Sequence, residues 1–225
     1  MYVDFHSHIL PGADHGSLNI KTSLAQLRYA KAAGVDTIVA TPHFYIEEDS
    51  VESFLTRREE AFSLLRENND SGIEIVKASE VQLAIGISEL PDLSKLCIGD
   101  TKHILLEFPP EPWPYWMFDF VSDIIEKRGL SPIIAHIDRY SERGREKLLS
   151  LPAKFQMNAE SVIGFGKAKR ENLSLARKGS VHVLGSDTHG RGESSYKAFS
   201  KAVKKIGAPM EQITEISRKI LAKGE

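Results

Sequence analysis

The sequence has a single cysteine, Cys97, among its 225 residues, which excludes an internal disulfide and fits a reducing compartment. No apolar run approaches the roughly eighteen residues of a membrane span, so an integral helical membrane protein is set aside. Charge of either sign is not in excess. With 29 basic and 31 acidic residues and a net charge of -2, no global field draws the chain to nucleic acid, and any anionic substrate must be held by local charge. A basic-then-apolar leader is missing because an apolar strand carrying Asp4 and two histidines starts at once. Low-complexity tracts and Pro/Gly-rich linkers are also missing, so residues 1–225 read as one domain. These absences predict a cytoplasmic protein, and the 41% apolar content suffices for a core of α/β-barrel size.

Histidine is what the chain does have, and the opening MYVDFHSHILPGADHG concentrates it. Tyr2-Val3-Asp4-Phe5 reads as a buried strand ending at His6. Side chains two apart on extended backbone point the same way, so His6 and His8 can share one cation, with His15 seven residues further on. An H-x-H taken alone is as readily a polar loop, and imidazole does not choose among Zn, Mn and Fe. The rest of the chain decides.

Leucines and alanines at helical spacing over Leu18 to Ala33 predict a helix closed by Gly34. A strand over Asp36 to Ala40 follows and ends at Thr41-Pro42-His43, since Pro42 cannot sit inside a central strand. The pattern then repeats. Helix Val51 to Glu67 precedes strand Ile73 to Ala78, which stops at Ser79-Glu80. After a short helix near Leu90 to Lys95, strand His103 to Leu106 runs into Glu107 and a proline-rich aromatic loop, Phe108 to Pro114. Helix Trp116 to Arg128 leads to strand Pro132 to Ala135, which delivers His136. Helix Glu142 to Leu149, strand Lys154 to Asn158, helix Lys167 to Lys178 and strand Val181 to Gly185 follow, the last stopping at Asp187-Thr188-His189 before two final helices.

Seven strand–helix units most simply close into a parallel barrel, whose active site lies at the C-terminal ends of the strands. His6, His8, His43, Glu80, Glu107, His136, Asp187 and His189 all fall at predicted strand ends, besides His15. His103 and His182 fall at the start of or inside strands and read as structural. Nine nitrogen and oxygen ligands exceed one ion's needs and suffice for two or three if a carboxylate bridges. Adjacent divalent cations suit metal-assisted hydrolysis, because they acidify water and stabilise a leaving oxygen. Arg139, three residues after His136, is placed to hold phosphate oxygens bidentately, and Arg191, two after His189, to close from the other side. A thiolate mechanism lacks its phosphate-loop arginine, since the sixth residue after Cys97 is His103; Cys97 reads as core.

HSHILPGADHG, TPH at 41–43, SE at 79–80, LLEFP around Glu107, IAHIDRY around His136 and GSDTH around Asp187 resemble the polymerase-and-histidinol-phosphatase (PHP) superfamily. More closely, the chain resembles the bacterial PHP-type protein-tyrosine phosphatases of capsule and exopolysaccharide synthesis. The resemblance implies a distorted (β/α)7 barrel with the metal site at the C-terminal strand ends and up to three divalent ions, Mn foremost with Fe or Zn as alternatives. It implies that a first ion takes His6, His8, Glu80 and Asp187. A second would share Glu80 and add Glu107 and His136, and a third would take His15, His43 and His189. The chain departs from the family at Asp14-His15-Gly16, where these phosphatases carry Asp-Asp-Gly. The resemblance places a substrate-binding arginine at Arg139. It leaves His136, Asp187 or a water to protonate the leaving oxygen, and it names as partner the phosphotyrosine tail of a bacterial tyrosine autokinase.

Two alternatives accompany this reading. One is a PHP phosphatase of a small molecule such as histidinol phosphate or a nucleotide; the other is a non-catalytic, metal-binding regulatory domain. The basic segments Lys167 to Arg170 and Lys201 to Lys205 are short and read as solvated helix faces, not nucleic-acid sites. The Phe108 to Tyr115 loop reads either as an open wall for a peptide or as core aromatics under a rigid turn. No pattern sets an oligomeric state.

Overall fold

Every strand pairing is parallel, as β-branched runs alternating with amphipathic helices demand. The computed structural model describes residues 1–222. In chain order its first half runs β1 (Tyr2–Ser7), α1 (Ile20–Ala32), β2 (Val35–Ala40), β3 (His43–Phe44), α2 (Val51–Asn68), β4 (Glu74–Lys77), β5 (Glu80–Gln82) and β6 (His103–Glu107). The second half runs α3 (Trp116–Glu126), β7 (Ser131–Ile134), α4 (Glu142–Leu149), β8 (Lys154–Asn158), α5 (Lys167–Arg177), β9 (Val183–Gly185), α6 (Gly192–Ile206) and α7 (Pro209–Leu221). Helix starts follow capping chemistry: Asn19, Ser50 and Ser141 each accept a backbone N–H from the first turn they precede.

The strands form two sheets, ordered β1-β2-β4 and β3-β5-β6-β7-β8-β9. The break has a local cause. Pro42 offers no N–H, so the β2–β4 ladder stops at Ala40↔Lys77 and restarts at His43↔Glu80, with Ala78 N–H on the Ala40 carbonyl (2.9 Å) and Glu80 N–H on the Pro42 carbonyl (3.0 Å) between. His43 and Glu80, expected just past two strands, therefore each begin a further short one. At the other side the turn after β9 meets β1 through Asp187 N–H on the His6 carbonyl (2.7 Å) and His8 N–H on the Thr188 carbonyl (3.2 Å). The result is a curled parallel sheet with the form of a distorted, TIM-like barrel.

Val3, Phe5, Val39, Leu105, Ile133 and Val183 fill the inside of the curl, and Ile220 of α7 packs against them. A larger apolar layer lies between the sheet and its helices. The joint between β1 and β9 is polar. The fully buried Asp4 carboxylate accepts the Ser186 N–H (2.7 Å) on one oxygen and the Tyr196 hydroxyl (2.8 Å) on the other.

The last strand is shorter than the expected Val181 to Gly185. Phe155 N–H donates to the His182 ring nitrogen (3.1 Å) while the His182 N–H reaches the Phe155 carbonyl (2.9 Å), so a side chain replaces one ladder acceptor and regular pairing begins at Val183. Between Gln82 and β6, two 3-10 turns, Ile87–Glu89 and Leu93–Leu96, stand where one short helix was expected. In the proline-rich loop Trp113 turns inward, against Phe108 and Tyr140 at 5.0 Å each, and its indole donates to the Pro109 carbonyl (2.6 Å); of the loop's aromatics only Tyr115 is exposed, at 86%.

Candidate active site

Because every strand runs the same way, residues at strand C-terminal ends gather on one face. β1 and the residue after it bring His6 and His8, β6 ends at Glu107, and His43 and Glu80, just past the ends of β2 and β4, open β3 and β5, while the turns after β7 and β9 bring His136, Asp187 and His189. The pairing of β1 with β2 slips between Asp4 and Ser7, an irregularity of the kind that re-aims side chains. Among the described residues, His136 (φ 31°) and Asp187 (φ 49°) are the non-glycine residues in the left-handed region. Such conformations cost about 1–3 kcal/mol each and persist where surrounding structure enforces them.

Glu80, 1% exposed, is the centre. Its Oε1 lies 2.8 Å from His136 Nε2, and its Oε2 lies 3.1 Å from His6 Nε2, 3.2 Å from His8 Nε2 and 3.1 Å from His43 Nδ1. Asp187 Oδ1 approaches His6 and His8 at 3.7 and 3.4 Å, and Glu107 Oε1 approaches His136 at 3.3 Å. Three sets of ligand-type atoms converge: His6, His8 and Asp187; His43, Glu80 and Glu107; and His8, His43 and His189.

Outer partners fix the rings. Gln156 Oε1 accepts the His136 backbone N–H (2.5 Å), so it is the oxygen, and His6 must carry its proton on Nδ1 to reach it (3.2 Å). The Asp14 carboxylate can only accept, so His8 carries its proton on Nδ1 (2.6 Å). By the same logic His189 Nδ1 donates to the Asp187 carbonyl (3.1 Å). Three Nε2 atoms are thereby left facing inward, and those of His6 and His8 stand 3.1 Å apart. Nitrogen and carboxylate donors oriented this way fit divalent cations held by imidazole and shared carboxylate.

The electrostatics agree. Burial opposes the charge on Glu80, yet the His6 charge and the His136 hydrogen bond hold its carboxyl well below the usual range. Burial pulls the His136 ring down, but hydrogen bonds to Glu107 and Glu80 outweigh it and hold it up at about 9. His43, where burial wins, falls to about 3 and stays neutral. Carboxylates that hold protons on these rings also attract divalent cations, so metal binding here must displace protons.

Arg139, 48% exposed by its side chain, reaches over the site and pairs with Asp187 Oδ2, which also accepts from Asn158 Nδ2 (2.8 Å). His15 is exposed; its ring stacks on those of His43 and His189 at 4.8 Å each, while the third converging set takes nitrogen from His8. Arg191 is exposed and lines a groove between α1 and α6, beside the turn that carries His189. Cys97 is buried, and burial pushes its thiol up to about 12, so it carries negligible thiolate near neutral pH.

Asp14, Gln156 and Asn158 were not singled out in the sequence. Gln156 is fully buried and serves His6 and His136 at once, while its Nε2 donates to Asn158 Oδ1 (2.9 Å). Gln156→Leu should therefore weaken metal affinity about 10–100-fold, the usual effect of losing an outer partner, measurable by competition with a chromogenic chelator on folded protein.

The family model described as "Capsular polysaccharide synthesis, CpsB/CapC" matches residues 2–221. Tyrosine-protein phosphatase YwqE of Bacillus subtilis (strain 168) is 32% identical over 203 residues, covering 83% of this chain and 77% of the relative. Tyrosine-protein phosphatase CpsB of Streptococcus pneumoniae is 29% identical over 248 residues, covering 97% and 98%. A crystal structure from work on YwqE and CpsB, described as unique metal-dependent tyrosine phosphatases, superposes with a TM-score of 0.79 at 24% identity over 97% of this chain and 94% of that one, which establishes the shared fold.

Proposed function

This chain belongs to the CpsB/CapC capsular polysaccharide synthesis family, and from that premise we propose that it is a metal-dependent protein-tyrosine phosphatase on a distorted (β/α)7 barrel of PHP type. The observation that carries the reading is Glu80, whose two oxygens meet four imidazoles in a buried pocket. His6, His8, Glu80 and Asp187 would hold one ion, and Glu80, Glu107 and His136 a second. A third falls to His43 and His189 with His15 or His8. Divalent ions bound there, Mn foremost with Fe or Zn as alternatives, would acidify water and neutralise phosphoryl charge.

The chain's own groups do the remainder. Arg139 offers a planar fork of donors at the mouth, suited to two phosphate oxygens, and Asp187, itself held by Asn158, keeps it there. His136 or Asp187 would pass a proton to the leaving oxygen, although a tyrosine phenolate, with an ordinary pKa of about 10, leaves with less help than an alkoxide. His15 and Arg139 are exposed at the entrance, so a residue borne on a peptide can reach the site. Family membership supports a tyrosine autokinase of capsule synthesis as the partner, and a lone buried cysteine suits the cytoplasm. No helix among the described residues is long and apolar enough to cross a membrane.

The test is the hydrolysis rate of a phosphotyrosyl peptide against histidinol phosphate and a nucleotide, with Mn supplied and then chelated, and His136→Ala as control. The peptide is expected to be preferred, and turnover to vanish on chelation and in the variant. Preference for a small molecule would reassign the substrate, and no turnover with any of the metals would end the enzymatic reading.

A further inference from the structure

Beside the catalytic mouth the first turns of α1 and α6 flank a groove of about 630 Å³, lined by Lys21, Gln26, Tyr29, Arg191, Glu193 and Lys197 among others. It adjoins the site directly. A Cβ added to Gly190, next to His189, would stand 3.2 Å from the carbonyl of Gly16, next to His15, so the turns carrying the two outer imidazoles touch at the groove's upper end.

The charges there are uncompensated. Glu193 is engaged by Lys197 (2.6 Å) and Tyr29, whereas Lys21 and Arg191, both exposed, meet no carboxylate among the described residues. Two helix N-termini converge on the same place and add to its positive potential. In the lining, Gln26 is buried and its Nε2 donates to Ser17 Oγ (2.5 Å), which ties α1 to the turn that follows His15.

The geometry points to a second subsite, in which this groove binds an anionic side chain of the peptide that carries the scissile phosphotyrosine. The inference rests on the phosphatase reading and extends it to substrate choice. Lys21 and Arg191 supply the charge for a carboxylate or a second phosphate. Arg191 thus serves the flanking residue, not the phosphate being cleaved.

Peptides with one scissile phosphotyrosine and alanine, glutamate or a second phosphotyrosine a few residues away are compared by kcat/KM. An anionic neighbour is expected to raise kcat/KM about tenfold at low salt, through KM, and the gain should shrink as ionic strength rises. Glutamate and phosphotyrosine arms separate a carboxylate from a phosphate as the preferred anion. In Lys21→Glu, and separately in Arg191→Glu, the ratio between acidic and alanine peptides should fall to about one. Equal kcat/KM for all peptides in the unaltered protein, or a ratio untouched by both substitutions, would overturn the subsite and leave the phosphatase standing. Absence of turnover on every peptide with any metal would remove the phosphatase reading, and the subsite with it.

Discussion

Glu80→Gln is expected to lower kcat/KM by about 10³-fold or more, which corresponds to about 4 kcal/mol on the barrier. The substitution keeps the shape and removes the charge. Glu80 presents one oxygen to His136 at 2.8 Å and the other to His6, His8 and His43 within 3.2 Å. An amide must put a donor where one of those acceptors stood. It also withdraws the buried negative charge that the first two proposed ions would share, so metal content should drop together with rate. Turnover and metal-to-protein ratio measured on the same sample, with circular dichroism to show that the fold persists, check this. Full activity at full metal content would show that Glu80 is only a structural partner of the histidines.

Gly185→Ala should be nearly as damaging although it touches no ligand atom. A Cβ there would lie 2.5 Å from His6 Cβ, 2.7 Å from Gln156 Nε2 and 3.0 Å from His6 N, and each is fixed by its own packing. Either β9 moves away from β1 or His6 is displaced. Overpacking of this kind costs about 1–3 kcal/mol, or about 2–4 °C in Tm per kcal/mol for a chain of this size. Displacing a ligand by about 1 Å costs a further 10² in rate. Gly179→Ala is the comparison: at φ 79° with nothing within 4 Å, it should lose about 1 kcal/mol of stability and leave kcat unchanged. Equal losses of rate in the two variants would mean that stability, not the position of His6, sets activity.

The sequence made the strand ends legible because each β-branched run stops at a residue able to bind a cation. His6, His8, Glu80, Glu107, His136, Asp187 and His189 stand together as that rule requires. It could not show that Pro42 divides a strand, leaving His43 and Glu80 paired in a separate ladder, because pairing depends on a neighbour far along the chain. Gln156 and Asp14 escaped notice for a related reason. A glutamine inside a strand and an aspartate in a turn look ordinary until the partners arrive, and for Gln156 and His6 they lie 150 residues apart. Arg191 shows the limit of spacing: two residues after His189 suggested the same mouth, but α6 starts at Gly192 and turns it toward α1.

The buried Asp4 that ties β1 to Ser186 and Tyr196 also sets the order in which the molecule can be completed. Those partners lie 182 and 192 residues further along, and at ribosomal rates of about 5–20 residues per second they follow Asp4 by roughly ten to forty seconds. Throughout that interval the first strand has no far edge to join. His6 and His8 are made long before Ser186 and Tyr196, so the pocket around them closes only after that far segment has been synthesised, and its assembly is a late event of maturation.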